Sequence, residues 1–200
     1  MRTILTLSCL ALLLLLTACG GGKQVTRMDT ETVTDLSGRW NDTDSRLVAE
    51  EMVSDALARP WLVNFIAESG GKPVVTVGTI RNETQEHISI ETMTKDFERE
   101  LINAGTVRFI QSKEFRDEIR GEREEQQQYA TPETAKKMRA ELGADFILQG
   151  SVKQIVDAEG GKQTSFYQAD FELINLESME KVWIGQKEIK KGISQGKTKW

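Results

Sequence analysis

The sequence predicts an α/β domain of the α+β kind, a mixed sheet ending in an antiparallel three-stranded meander with helices packed on it. Three observations carry that reading. Val74 to Ile80 is rich in β-branched residues and bounded by Pro73 and the polar Asn82-Glu83-Thr84. Residues 144–156, 164–176 and 181–191 follow one another as strand-like runs with short turns between them. Between the first strand and the meander, apolar residues recur at helical spacing.

Taken in order, the chain begins with Arg2, an apolar run from Leu10 to Leu16 containing only leucine and alanine, and small residues up to Ala18. These are the zones of a secretory signal, and the run is too short to span a bilayer before Gly20-Gly21-Gly22. Residues 1–18 are therefore expected to be a signal peptide. From Gly20 to about Thr34 the sequence is polar, without apolar periodicity, so residues 19–34 are expected to form a short tether, reaching roughly 50 Å when extended.

The folded domain is expected over residues 35–192. Asn41-Asp42-Thr43-Asp44 offers N-cap side chains, and Leu47, Val48, Met52 and Ala56 recur behind it as one helix face. Pro60 breaks that helix, and Trp61, Leu62, Phe65 and Ile66 restart an apolar face closed by Gly70-Gly71. After the strand at 74–80, Met93, Phe97 and Leu101 form one stripe on a helix ending at Gly105, followed by a short strand at 107–110.

Lys113 to Gln128 favours helix but has only Phe115 and Ile119 as apolar anchors, so it reads as a solvated helix. Thr131-Pro132 opens a further helix toward Leu142-Gly143. In the first meander strand Phe146, Leu148, Gly150 and Val152 share a face. Turns are expected at Asp157 to Lys162 and at Glu177-Ser178, and a loose tail at 193–200 carries Lys197, Lys199 and Trp200. The order α, β, α, β, α, α, β, β, β needs helices on one or both faces of the sheet.

Composition restricts the chemistry. Without residues 1–18 the chain keeps 25 Lys and Arg against 31 Asp and Glu, formally −6, a poor match for nucleic acid. His87 is the only histidine, and no Cys-His pair, zinc ligand set or Ser-His-Asp arrangement can be assembled. No glycine cluster has phosphate-loop spacing. Asn41 to Asp44 could offer oxygens to a divalent cation, but it lacks the glycine and distal glutamate of a calcium loop, and a helix cap is the simpler reading. The sequence thus predicts no enzyme, no cofactor and no metal. Trp40, Trp61, Trp183, Trp200, Tyr129 and Tyr167 are candidate interface anchors, with Trp61 and Trp183 expected in the core.

Leu16-Thr17-Ala18-Cys19 resembles the lipobox of bacterial lipoproteins, in which the cysteine is acylated and becomes the first mature residue. The alternative is an ordinary signal peptide with an incidental cysteine. Cys9 would be lost with the leader, so the mature chain would hold no disulfide. Gly20, rather than Asp, after the lipidated cysteine implies the outer membrane and its periplasmic face.

Four further segments, Asp35 to Ser45, Lys72 to Thr84, Glu141 to Gly150 and Lys181-Val182-Trp183, resemble the LpoB family of penicillin-binding protein activators. The resemblance implies a mixed α/β domain similar to the N-terminal domain of TolB and the core of CsgG. It implies a non-catalytic, monomeric outer-membrane lipoprotein that contacts a bifunctional peptidoglycan synthase. The best-known members have a long proline-rich linker, whereas no proline lies between Cys19 and Thr34 here. The alternative function is a structural subunit of a CsgG-like envelope assembly or secretion complex.

Overall fold

A computed structural model describes residues 24–129, 131 and 141–194. The chain falls into two units, Met1–Thr32 and Val33–Trp200. In the described part of the first, one turn is closed by Thr32 N donating to Asp29 O at 3.1 Å. The second holds the α+β domain, whose order is α1 (Asp42–Leu57), α2 (Pro60–Ser69), β1 (Val74–Glu83), α3 (Ile90–Ala104), β2 (Arg108–Phe109), α4 (Lys113–Tyr129), β3 (Phe146–Glu159), β4 (Lys162–Asn175) and β5 (Lys181–Ser194).

The five strands lie in the order β2-β1-β3-β4-β5. β1 runs parallel to both β2 and β3, and β3, β4 and β5 form the expected antiparallel meander. One turn and one strand end differ in detail from the sequence reading. β3 continues to Glu159 and β4 starts at Lys162, so the six-residue turn contracts to Gly160-Gly161, both at positive φ (58° and 80°). Two successive left-handed residues make the hairpin turn whose twist matches the strands. β5 runs on to Ser194, placing Ile193 and Ser194 in the sheet rather than in a tail. The helix expected at 132–142 lies outside the described residues except for Glu141 and Leu142, which are irregular.

One face of the sheet carries the core. Phe97 of α3 stacks on Phe171 of β4 with ring centroids 4.4 Å apart, and Trp61 and Phe65 of α2 meet Phe146 of β3 at 4.9 and 5.3 Å. The stripe Met93, Phe97 and Leu101 is buried as its spacing requires. Trp61 and Trp183 are buried too. The indole of Trp183 lies over Gly185 beside Met52 of α1, where any larger residue at 185 would collide with the ring. Each large side chain buried this way contributes about 2–3 kcal/mol.

Asp145 ties three strands together where β3 begins. Its carboxylate accepts from Val74 N at 2.7 Å, its N–H donates to Val74 O at 2.8 Å, and its carbonyl accepts from Leu176 N at 2.9 Å.

The opposite face beside β4 and β5 is not covered by α1–α3. In β4 buried Ser165, Tyr167, Ala169, Phe171 and Leu173 alternate with half-buried Phe166, Gln168, Asp170, Glu172 and Ile174. In β5 Ile184, Gln186, Glu188 and Lys190 are all exposed, while Trp183 and Lys191 on the other face are buried. That is the alternation of an antiparallel sheet with one wet side.

Candidate functional site

Polar organisation concentrates at the far end of the sheet, where residues 33–41 cross the helix-bearing face as a strap. The strap ends in the cap of α1: Asn41 Oδ1 accepts from Asp44 N at 3.1 Å and Asp44 Oδ2 accepts from Asn41 N at 2.9 Å, a reciprocal capping box. Asn41 Nδ2 also donates back to Thr34 O at 3.1 Å and Asp35 Oδ1 at 2.9 Å. The cluster considered for a cation is therefore a helix cap, and the positive charge beside it is an ammonium.

That ammonium is Lys191, in an inward position of β5. Its Nζ lies 2.6 Å from Asp44 Oδ2, 2.6 Å from Asp35 Oδ1 and 3.0 Å from Arg39 O. The Lys191 side chain is 8% exposed and that of Asp44 7%, whereas Asp35 is half exposed. Hydrogen bonding and attraction from Lys191 hold the Asp35 carboxyl below its ordinary value against some desolvation. The ammonium itself is raised by its two carboxylates, although burial opposes the charge. Two residues further along β5, Ile193 packs on Gly38, which adopts φ 67° and leaves no room for a Cβ.

A second cluster fixes the other side of the strap. Glu86 accepts from Trp40 N at 3.0 Å, from the Tyr167 hydroxyl at 2.7 Å and from Gln154 Nε2 at 2.7 Å. The Trp40 indole sits edge-on to the Tyr167 ring at 5.4 Å and donates to Ser45 Oγ at 2.8 Å. Burial, with Glu86 next to the hydroxyl, pushes the Tyr167 phenol up to about 12. Along α1 the same edge is zipped to β5 by Trp183 Nε1 donating to Asp55 Oδ2 at 2.8 Å and by the Lys187–Glu51 ion pair.

On the open face the charges are ordered by register. Glu83, Lys153, Gln168 and Glu188 lie side by side across β1, β3, β4 and β5, next to Arg81, Ser151, Asp170 and Gln186. Lys153 Nζ reaches Asp170 Oδ2 at 3.0 Å, and Lys181 pairs with Glu172 at 2.6 Å. Exposed Ile184 and Ile155 interrupt this polar grid.

Several residues singled out in the sequence take other places. Cys19 and its lipobox, Leu16, Thr17 and Ala18, lie outside the described residues, as do Lys197, Lys199 and Trp200. His87 is exposed in the loop between β1 and α3. Tyr167 is fully buried and Trp40 half-buried, so both serve the strap, whereas Tyr129 is exposed. Lys191 and Glu86 were not singled out. The readable signal was parity: Lys187 and Lys191 fall on the inward-facing positions of β5 and so require carboxylate partners.

The family model of the peptidoglycan-synthase activator LpoB matches residues 44–189. The chain belongs to the LpoB family. Among solved structures, the LpoB-family domain is similar to the C-terminal domain of LpoB from Salmonella enterica, at 15% identity over 76% of this chain and 99% of that one, with a TM-score of 0.42. It is similar to the corresponding Escherichia coli domain at 18% identity over 76% and 99%, with a TM-score of 0.40. The NMR structure of Escherichia coli LpoB matches at 12% identity over 88% and 87%, with a TM-score of 0.42. No curated protein matches the chain. Among the described residues of this LpoB-family protein, no helix is long and apolar enough to cross a membrane, and no three His, Cys, Asp or Glu converge as a metal site.

Proposed function

We propose that this chain is an outer-membrane lipoprotein, held by acyl chains on Cys19 after Leu16-Thr17-Ala18, that activates a bifunctional peptidoglycan synthase of the penicillin-binding class by contact alone. The observation that carries the reading is the family match, which spans the α+β domain from the first turn of α1 to β5. The activator is not itself an enzyme. It works by binding the active conformation of the synthase more tightly than the inactive one, so the gain in rate is bounded by that difference in affinity. The open face of β3, β4 and β5, with Lys153, Asp170, Glu172 and Ile184, is the surface offered to the partner.

The tether sets a geometric condition. At roughly 50 Å of extended reach, the synthase must bring its regulatory surface close to the outer membrane. The test is to add the purified protein to the cognate synthase and follow glycan polymerisation and cross-linking. Binding with acceleration of either activity is the expected result; no binding and no change in rate would overturn the proposal.

A further inference from the structure

The bend from β4 into β5 holds one unusual residue. Met179 has φ 62°, and among the described residues no other residue but glycine takes a positive φ. A left-handed backbone presses the Cβ against the following carbonyl, so glycine or asparagine is the ordinary occupant. Methionine gains little in return from its own fold, since Met179 is 73% exposed. The bend is also stiff. Every backbone N–H from Asn175 to Glu180 donates a hydrogen bond: Asn175 N to Glu180 O, Leu176 N to Asp145 O, Glu177 N and Ser178 N to Asn175 Oδ1, Met179 N to Asn175 O, and Glu180 N to Ser178 Oγ, all between 2.8 and 3.3 Å.

Backbone strain maintained by its surroundings marks functional positions, and methionine packs adaptably into a partner's pocket. We propose that Met179 is the outermost contact with the synthase, inserting into an apolar pocket with a basic rim. The inference rests on the activator reading and extends the open face of β3, β4 and β5 past its end, where exposed Ile184 and half-buried Ile174 lie. The character of the rim follows from Glu177 and Glu180, both exposed, on either side of the methionine. Lys181, next in the chain, is neutralised by Glu172 at 2.6 Å, so the tip of the bend is acidic.

The place of the bend in the anchored molecule favours this contact. The strap is fastened by Asp35 to Lys191. Lys181 lies ten positions from Lys191 in β5, about 33 Å of strand. The bend is thus at the end of the sheet away from the strap, and a short tether gains most reach from a contact made there. Exposed Ile155, level with Phe166 and Lys190, stands at the near end instead.

Met179→Asn separates fold from function, because asparagine accepts the left-handed backbone and lacks the apolar tip. The full-length variant in detergent is expected to unfold at a higher urea concentration than the wild type with an unchanged slope. It is nevertheless expected to bind the cognate synthase about tenfold or more weakly and to accelerate glycan polymerisation less. Met179→Leu, which keeps the apolar bulk, should bind like the wild type, and Glu177→Lys should bind more weakly, a difference that fades at high salt. A Met179→Asn protein that binds like the wild type, or that loses stability along with binding, would overturn the inference and leave the activator reading standing. A wild type that neither binds nor accelerates the synthase would overturn both.

Discussion

Lys191, near the end of the sheet's edge strand, reaches Asp44 in the first turn of α1 with Nζ 2.6 Å from Oδ2, both side chains being less than a tenth exposed. One ammonium thereby joins the sheet, the helix cap and, through Asp35 and Arg39 O, the strap. Lys191→Met leaves Asp44 buried without its cation, and loss of one partner of a buried pair costs about 3–5 kcal/mol. A large drop in the urea midpoint with an unchanged slope is expected; a loss under about 1 kcal/mol would show that water replaces the ammonium.

Asp35 gives the acid side of the same contact. Its carboxyl is lowered by Lys191, so the stability it contributes is present above the unfolded value near 4 and is lost as pH falls through the lower native value. Asp35→Asn should therefore be less stable than the wild type at neutral pH, by about 0.5–1 kcal/mol given its exposure. The two unfolding curves should converge in strong acid. A constant difference at all pH values would contradict the ion-pair origin.

Tyr167 titrates late. Its phenol is raised to about 12, so the stability it contributes is complete below the ordinary tyrosine value near 10 and disappears between there and about 12. In absorbance titration at the phenolate band, the late step should vanish in Tyr167→Phe. That variant should also lose about 0.5–1.5 kcal/mol, the net worth of one hydrogen bond, because Glu86 keeps Trp40 N and Gln154 Nε2 as donors.

Gly38→Ala meets two obstacles, the positive φ and the side chain of Ile193. A loss of about 1–3 kcal/mol is expected. In a double-mutant cycle, Ile193→Ala should recover the steric part and leave the backbone part. Strict additivity of the two changes would show that the strap does not rest on Ile193.

Cys19→Ser tests the anchor. The variant should lose incorporation of labelled palmitate and keep its leader, because cleavage follows acylation of the cysteine. Incorporation that persists would place the acyl chains elsewhere.

Much of the fold could be read because its signals are local. Helix faces such as Met93-Phe97-Leu101, the caps at Asn41 and Gly105, and the three meander strands depend on spacing within one segment. The site depends on sequence-distant pairs. Asp44 and Lys191 are separated by 147 positions and Glu86 and Tyr167 by 81, and no periodicity within a segment brings them together. The double glycine at 160–161 signalled a turn but not its length, because strand pairing on both sides drew in every flanking residue. Nor could the sequence say which meander strand would lie at the border, which depends on where β1 inserts.

The strap also has a mechanical meaning. Any pull arriving from the N-terminal side enters the second unit at Val33 and first meets resistance at Asp35, whose contact with Lys191 is half exposed. Beyond it the load passes in turn to Gly38 on Ile193, to Trp40 on Glu86 and Tyr167, and to the cap at Asn41. These attachments are strung along the chain, so they would yield one after another rather than share the force. The strap is a fuse: under load it can peel by several residues while α1 and the five strands remain folded.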